Sequence, residues 1–245
     1  MLHQGTKEFD SLEGLNFNIK TKTKDVECHT NLIMPFNALN ITLAYAILDS
    51  LGEMEDSKFN QLLEEIKIPG RDEVIRYNGR TIIITITCTP HLEIIKRYKE
   101  KGKVKNIRLV TGSFGKGFNS WLEEYKEEKF TKYVEESMRW AYSYFVKNVD
   151  QIYITTNDNA YSNITELLGK QKKEVEGKTA YFLIEDRKEA IKKAIGDSER
   201  NDVIIISGRG NRSIFCKDRR NVEIYLDRSI VEEEIIKKKE EDNAN

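Results

Sequence analysis

Residues able to do chemistry gather in four short stretches of this 245-residue chain. They are Thr87-Cys88-Thr89-Pro90, Gly112-Ser113-Phe114-Gly115-Lys116-Gly117, Asn157-Asp158-Asn159 and Gly208-Arg209-Gly210-Asn211-Arg212, and each follows an apolar, β-rich run. The glycine-rich stretch could offer backbone N–H groups to an anion, with Lys116 adding charge. A flexible strand-to-helix loop is an equal reading. It is not a phosphate-binding P-loop, because G-x-x-x-x-G-K-[ST] needs glycine where Val110 stands and a magnesium-binding hydroxyl where Gly117 stands. Asp158 and Asn159 could orient a ligand amine or amide, although Asn-Asp-Asn after a strand is ordinary turn and cap chemistry, the better reading of that motif alone. Gly208-Arg209-Gly210 is a weak G-x-G, since no helix clearly follows it.

Other signatures of self-contained catalysis are missing. There is no G-x-S-x-G elbow, H-E-x-x-H pair or Cys/His dyad, so no catalytic residue is assigned. Cys28 and His29 adjoin, but without a second pair at zinc-type spacing they predict no metal site. Lys and Arg total 40 against 41 Asp and Glu, so no global field draws nucleic acid or an anionic membrane. The densest basic stretch, 96–105, reads as a solvated helix face. Three well-separated cysteines argue against a disulfide framework and for a reducing compartment, the cytoplasm. Residues 1–10 are polar and no later run approaches the roughly 20 apolar residues of a membrane span, so neither export nor anchoring is expected.

The elements that must position these stretches follow from periodicity. Residues 15–20 and 26–33 read as strands, and 38–51 as a helix with an apolar face of Leu39, Leu43, Ala46, Ile47 and Leu48, stopped by Gly52. A second amphipathic helix spans 57–66. Pro69-Gly70 then marks a boundary. Beyond it strands are expected at 81–87, 107–111, 152–156, 180–184, 203–207 and 222–226. Helices are expected from Pro90, within 121–147, at 164–172 and at 187–195, the last opened by a capping-box-like Asp186 and Glu189. Strands alternating with helices at this spacing predict a mostly parallel α/β sheet with helices on both faces, and its ligands beyond the carboxyl ends of the strands. Residues 229–245 read as a frayed, charged terminal helix.

Taken in order, these segments resemble the C-terminal half of the Mur ligases, ATP-dependent enzymes that add amino acids to peptidoglycan precursors, in particular the branch adding diaminopimelate or lysine. Phe36-Asn37-Ala38-Leu39-Asn40 is similar to the family's F-N-x-x-N helix start near adenine. Gly70-Arg71-Asp72-Glu73 resembles its G-R-x-E domain junction. The end of the 81–90 stretch resembles D-Y-A-H-T-P, and Thr156 to Asn159 the T-S-D-N that opens the D-N-P-R motif. Asp186-Arg187-Lys188-Glu189-Ala190-Ile191 fits D-R-x-E-A-I, and Gly208-Arg209-Gly210 resembles the start of G-K-G-H-E.

The resemblance implies a Rossmann-like, mostly parallel sheet over residues 70–228, preceded by a small α/β remnant of the central domain over 1–69 and followed by the charged tail. It implies nucleotide contact at Asn37, Asn40 and Arg71, and substrate contact at Asp158, Asn159, Gly208 and Arg209. Departures accompany the matches. Thr85 and Cys88 replace the aspartate and histidine of D-Y-A-H-T-P, Ala160 and Tyr161 replace the proline and arginine of D-N-P-R, and Asn211 and Arg212 replace the histidine and glutamate of G-K-G-H-E. Binding of diaminopimelate in the family's manner is therefore not expected. The family's substrate-binding domain and most of its ATPase domain, P-loop included, have no counterpart in these residues. The resemblance thus implies ATP and magnesium only together with a P-loop, Mur-ligase-like partner chain, and inactivity alone. The alternative is a non-catalytic binding or assembly module that keeps the fold.

Overall fold

A computed structural model describes residues 12–52, 55–114, 127–159, 162–217 and 220–244. The chain forms two compact units, Met1–Glu73 and Val74–Asn245.

In the smaller unit β1 (Leu15–Lys20) and β2 (Asp25–Thr30) form an antiparallel hairpin with Phe17 opposite Cys28 and Ile19 opposite Val26. Alternation puts Leu15, Phe17, Ile19, Val26 and Cys28 on one face. That face packs against α1 (Phe36–Leu51) and α2 (Asp56–Glu65). Pro35 stands at the N-cap of α1 with helical φ and ψ, so the helix opens at Phe36, and Gly52 closes it in the left-handed region at φ 74°.

The buried face of α1 differs from the expected one. Asn37, Ala38, Ile41 and Tyr45 point into the core, while Leu39 is 74% exposed, Leu43 61% and Ile47 52%. Residues 36–48 of this helix carry no charge, so hydrophobicity does not choose between its faces. Tyr45 does: its hydroxyl donates to Asp56 Oδ1 at 3.0 Å and its ring meets Phe59 edge-on at 5.2 Å. A tyrosine that finds both an apolar slot and a polar end settles deeper than a leucine that finds only the former.

The larger unit is built on a six-stranded sheet ordered β3 (Glu73–Tyr77), β4 (Arg80–Thr85), β8 (Val203–Ser207), β5 (Ile107–Thr111), β6 (Gln151–Ile154), β7 (Ala180–Leu183). All neighbours from β4 to β7 are parallel. The connecting helices are α3 (Thr89–Glu100), α4 (Glu127–Asn148), α5 (Ile164–Val175) and α6 (Arg187–Gly196). Of the helix expected within 121–147, residues 121–126 lie outside the described part. A tight hairpin opens the sheet. Asn78 and Gly79, at φ 44° and 74°, join β3 to β4 by a two-residue turn, the geometry that Asn-Gly favours.

Step direction sets the layers. The sheet advances one way from β4 through β7, and α6 carries the chain back to insert β8 between β4 and β5. Right-handed crossovers therefore put α6 on the face opposite α3, α4 and α5. Ala190, Ile191, Ala194 and Ile195 of α6 pack there on Ile82, Ile84, Val110, Tyr153, Ile204 and Ile206. The same cluster includes Ile230, Val231 and Ile235 of α7 (Asp227–Ala244). Ile230, Val231 and Ile235 thus tie the first turns after Ser229 into the core layer rather than leaving them a frayed extension, because they recur at helical spacing among the charges. The stretch 222–226 does not join the parallel sheet either. β10 (Val222–Ile224) pairs antiparallel with β9 (Ile214–Cys216) in a separate hairpin.

Candidate functional site

At the carboxyl edge of the larger sheet the chain buries many polar groups. Thr85, Thr111, Thr155, Thr156, Asn157, Asp158, Asn159, Ser207 and Arg209 are all buried at strand ends or just beyond them. Buried polar groups must find partners, and most here find each other.

Two buried ion pairs organise this edge. Arg187, the first residue of α6, donates from Nε and Nη2 to both carboxylate oxygens of Asp227 at 3.0 and 2.8 Å, from Nη1 to Asn157 Oδ1 at 3.0 Å, and from Nη2 to the Ser207 carbonyl at 3.0 Å. Burial works against its charge, but the Asp227 carboxylate outweighs that and holds the guanidinium above the ordinary arginine value. Asn157 passes the network on, donating from Nδ2 to the Gly112 carbonyl at 2.6 Å. The loops after β5, β6 and β8 are so tied to the starts of α6 and α7.

Asp158 and Arg209 make the second pair. Arg209 Nη1 donates to Asp158 Oδ1 at 2.9 Å, and the same oxygen accepts from Cys216 N–H at 3.2 Å. The Arg209 guanidinium lies over Phe215 at 4.7 Å and Tyr225 at 4.9 Å, and Nη2 donates to the Arg212 carbonyl at 2.9 Å. This pair rivets the β9–β10 hairpin to the loop after β6. Arg212 stands 3.9 Å from Asp158 Oδ2 and 5.2 Å over Phe114, and burial, then Arg209, holds its guanidinium below the ordinary value.

Of the residues assigned to substrate, Asp158 and Arg209 are thus brought together as each other's partners. Asn159 is buried beside them. Its N–H donates to the Cys216 carbonyl at 3.0 Å, while its side-chain amide makes no hydrogen bond among the described residues. Gly208 has φ 113°, and a Cβ there would lie 2.4 Å from Asn157 Nδ2, so glycine is required by both backbone and packing. Gly112 is equally confined, its notional Cβ 2.1 Å from the Thr155 carbonyl oxygen.

Beyond β4, β8 and β5 these loops line a cavity of about 560 Å³, walled by Cys88, Thr111, Gly112, Phe114, Ser207, Gly208 and one face of α4. Burial pushes the Cys88 thiol up to about 11, so it is protonated at neutral pH and no nucleophile. The replacements Ala160 and Tyr161, and Gly115 to Gly117 with Lys116, lie outside the described residues.

The residues assigned to nucleotide are in the smaller unit. Asn37 is buried and Asn40 exposed, with Asn40 Nδ2 3.3 Å from Asn37 Oδ1. Arg71 is exposed on the turn that follows Pro69, where Gly70 N–H donates to the Glu73 carboxylate at 2.7 Å. Among the described residues no group of three or more His, Cys, Asp or Glu is arranged to hold a metal ion, and no helix is long and apolar enough to cross a membrane.

Sequence reasoning missed Arg187 and Asp227 as site residues. The signal was present: a cation in the first turn of a helix opposes the helix dipole, and Arg187 directly follows the Asp186 cap, whose carboxylate accepts from Lys188 N–H at 2.7 Å and Glu189 N–H at 3.2 Å. A residue placed against local electrostatics is held there by something else. The α4 face of the cavity was missed because residues 121–147 were read only as a long helix, and helical spacing alone does not say what a face borders.

A mostly parallel, doubly wound α/β sheet with a polar, ion-paired crevice and a cavity at its carboxyl edge defines a Rossmann-like domain. Comparison with known proteins narrows this to relatives of the Mur ligases. The chain is 28% identical over 202 residues to the UDP-N-acetylmuramoyl-L-alanyl-D-glutamate–2,6-diaminopimelate ligase of Aquifex aeolicus, covering 81% of this chain and 38% of that one. A solved structure of a ligase of the same name matches 93% of this chain and 44% of its own, with a TM-score of 0.59 at 18% identity. The MurF ligase of Thermotoga maritima in complex with ADP matches 85% of this chain and 42% of its own, with a TM-score of 0.55 at 13% identity. No protein-family model matches the chain. It spans about two fifths of the length of the curated relatives it matches.

Proposed function

We propose that the chain is one part of an ATP-dependent, amide-forming ligase of the kind that acts on peptidoglycan precursors, working in the cytoplasm with a P-loop, Mur-ligase-like partner. The observation that carries this reading is the relationship to such ligases over 81% of the chain, together with a braced carboxyl-edge site where their fold places ligands. Within these 245 residues there is no P-loop sequence, and amide formation through an acyl phosphate needs phosphate cradling, magnesium and charge stabilisation. In this reading the partner supplies them.

Two features of the smaller unit favour that arrangement. Asn40 presents an exposed amide that fits an adenine edge, with buried Asn37 behind it and Arg71 available for phosphate or for bracing the junction. Leu39, Leu43, Ile47 and Leu51 form an exposed apolar stripe on a helix face without charge, as a docking surface requires. Asp158, Asn159, Gly208 and Arg209 then shape the acceptor side of the site.

The test is phosphate release with magnesium and ATP, for the chain alone and mixed with a P-loop ligase-like protein. Turnover is expected only in the mixture and should fall on Asn40→Ala. Turnover by the chain alone would refute the division of labour. A second reading, a non-catalytic binding or assembly module, is favoured by the mutual satisfaction of Arg187 with Asp227 and of Arg209 with Asp158, which leaves few free charges at the edge. Silence in every mixture, with the fold intact, would select it.

A further inference from the structure

We propose that the cavity beyond β4, β8 and β5 binds a primary amine carrying an aromatic or aliphatic body, and not an amino acid selected by a distal carboxylate. That this amine is the acceptor of an amide-forming reaction rests on the ligase reading above; that the cavity binds it does not.

The cavity, about 560 Å³, is of ordinary size for a small-molecule site. Its floor is made by the strand ends, where Thr111, Ser207 and Cys88 are buried and where Gly112 and Gly208 let the loops pack against Asn157 and Thr155. Its wall is α4, which contributes Tyr133, Glu136, Ser137 and Trp140. These positions follow the i, i+3, i+4, i+7 rule, so they form one continuous helical face.

That face is not core. Tyr133 and Trp140 are each 62% exposed. Yet Trp140 is held in place: its ring stacks on Tyr144 with centroids 6.2 Å apart and planes within 14°, and the Tyr144 hydroxyl donates to Glu93 of α3. An exposed indole fixed beside a cavity is a platform for an apolar body or for a cation over its face.

Charge then selects the head group. A third of the chain's residues are charged, but among the described residues that line the cavity only Glu136 carries charge at neutral pH, since the Cys88 thiol remains protonated. Among the described residues Glu136 has one ion-pair contact, Lys132 at 3.9 Å on the exposed surface, too long and too solvated to hold it closely. A negative group beside two aromatic faces matches an ammonium on an apolar stem. Cys88 and Thr89, at the opening of α3, line the same cavity.

Calorimetry on the purified chain alone, with tyramine, cadaverine and 3-(4-hydroxyphenyl)propionate as probes, tests this. Saturable tyramine binding is expected, at least about tenfold tighter than the propionate, whose ring is the same and whose charge is opposite. Glu136→Gln and Trp140→Ala should each weaken tyramine by about tenfold or more without changing the melting temperature, since both side chains are exposed. The proposal is overturned if the propionate binds as tightly as the amine, if Glu136→Gln leaves tyramine unchanged, or if no probe saturates below about 10 mM. Absence of ligase turnover with these results intact would count against the ligase reading and leave the amine site standing.

Discussion

Replacing Arg187 by alanine should be among the most damaging single changes in the larger unit. The side chain donates four hydrogen bonds at 2.8 to 3.0 Å, and both it and Asp227 are fully buried. Removing the cation leaves the Asp227 carboxylate facing, among the described cations, only Arg209 Nε at 3.8 Å, and a buried charge deprived of its partner typically costs about 3–5 kcal/mol. For a unit of this size that corresponds to roughly 6–20 °C in melting temperature. Arg187→Met combined with Asp227→Leu removes both charges and should cost less than either single change, because desolvation of the pair is relieved as its attraction is lost. Both tryptophans, Trp121 and Trp140, lie in the larger unit, so their fluorescence during urea unfolding reports on it alone. A loss below about 1 kcal/mol for Arg187→Ala, or a double variant as unstable as the sum of the singles, would refute this account of the crevice.

Other consequences can be measured directly. Gly79→Ala should destabilise the larger unit by about 1 kcal/mol or more in the same urea assay, because φ is 74° there and the new Cβ would meet Arg200 Nε at 3.2 Å. Leu43→Glu should leave the unfolding free energy of the smaller unit within about 0.5 kcal/mol of wild type, whereas Tyr45→Ala should cost about 3–5 kcal/mol; equal effects would show that α1 packs by its other face. Burial pushes the thiols of Cys28 and Cys88 up to about 11, so a chromogenic disulfide at pH 8 should modify only Cys216 in the native protein and all three cysteines in guanidinium. The raised values also fix a sign. The unfolded thiols ionise first, so this contribution to stability is complete below pH 9 and declines towards about 11, which melting curves across that window should show.

The fold was legible where one rule spoke alone. β4, β5, β6 and β8 are apolar runs bounded by turns, and their alternation with helices gave the parallel sheet and the edge on which Asn157, Asp158, Gly208 and Arg209 meet. It was illegible where two rules agreed with both answers. Residues 36–48 are uncharged all round, so only a tertiary partner, Asp56 for Tyr45, selects the buried face. The β9–β10 hairpin is three residues a side, too short for alternation to register, and is fixed by Arg209 lying over the adjoining rings of Phe215 and Tyr225. Pairing across distant sequence, as of Arg187 with Asp227 forty residues later, leaves no periodic trace at all.

The late insertion of β8 governs the order in which this protein can be made. β4 and β5 are complete by Thr111, but the strand between them begins only at Val203. During synthesis at roughly 5–20 residues per second, both strands wait several seconds with one edge unpaired. Joining them requires closing a loop of some ninety residues, an entropic step that grows slowly with length but must precede every contact Ile204 and Ile206 make. A nascent chain halted before Val203 would therefore display apolar strand edges to chaperones or to its neighbours, and its aggregation should cease once the five residues of β8 have left the ribosome.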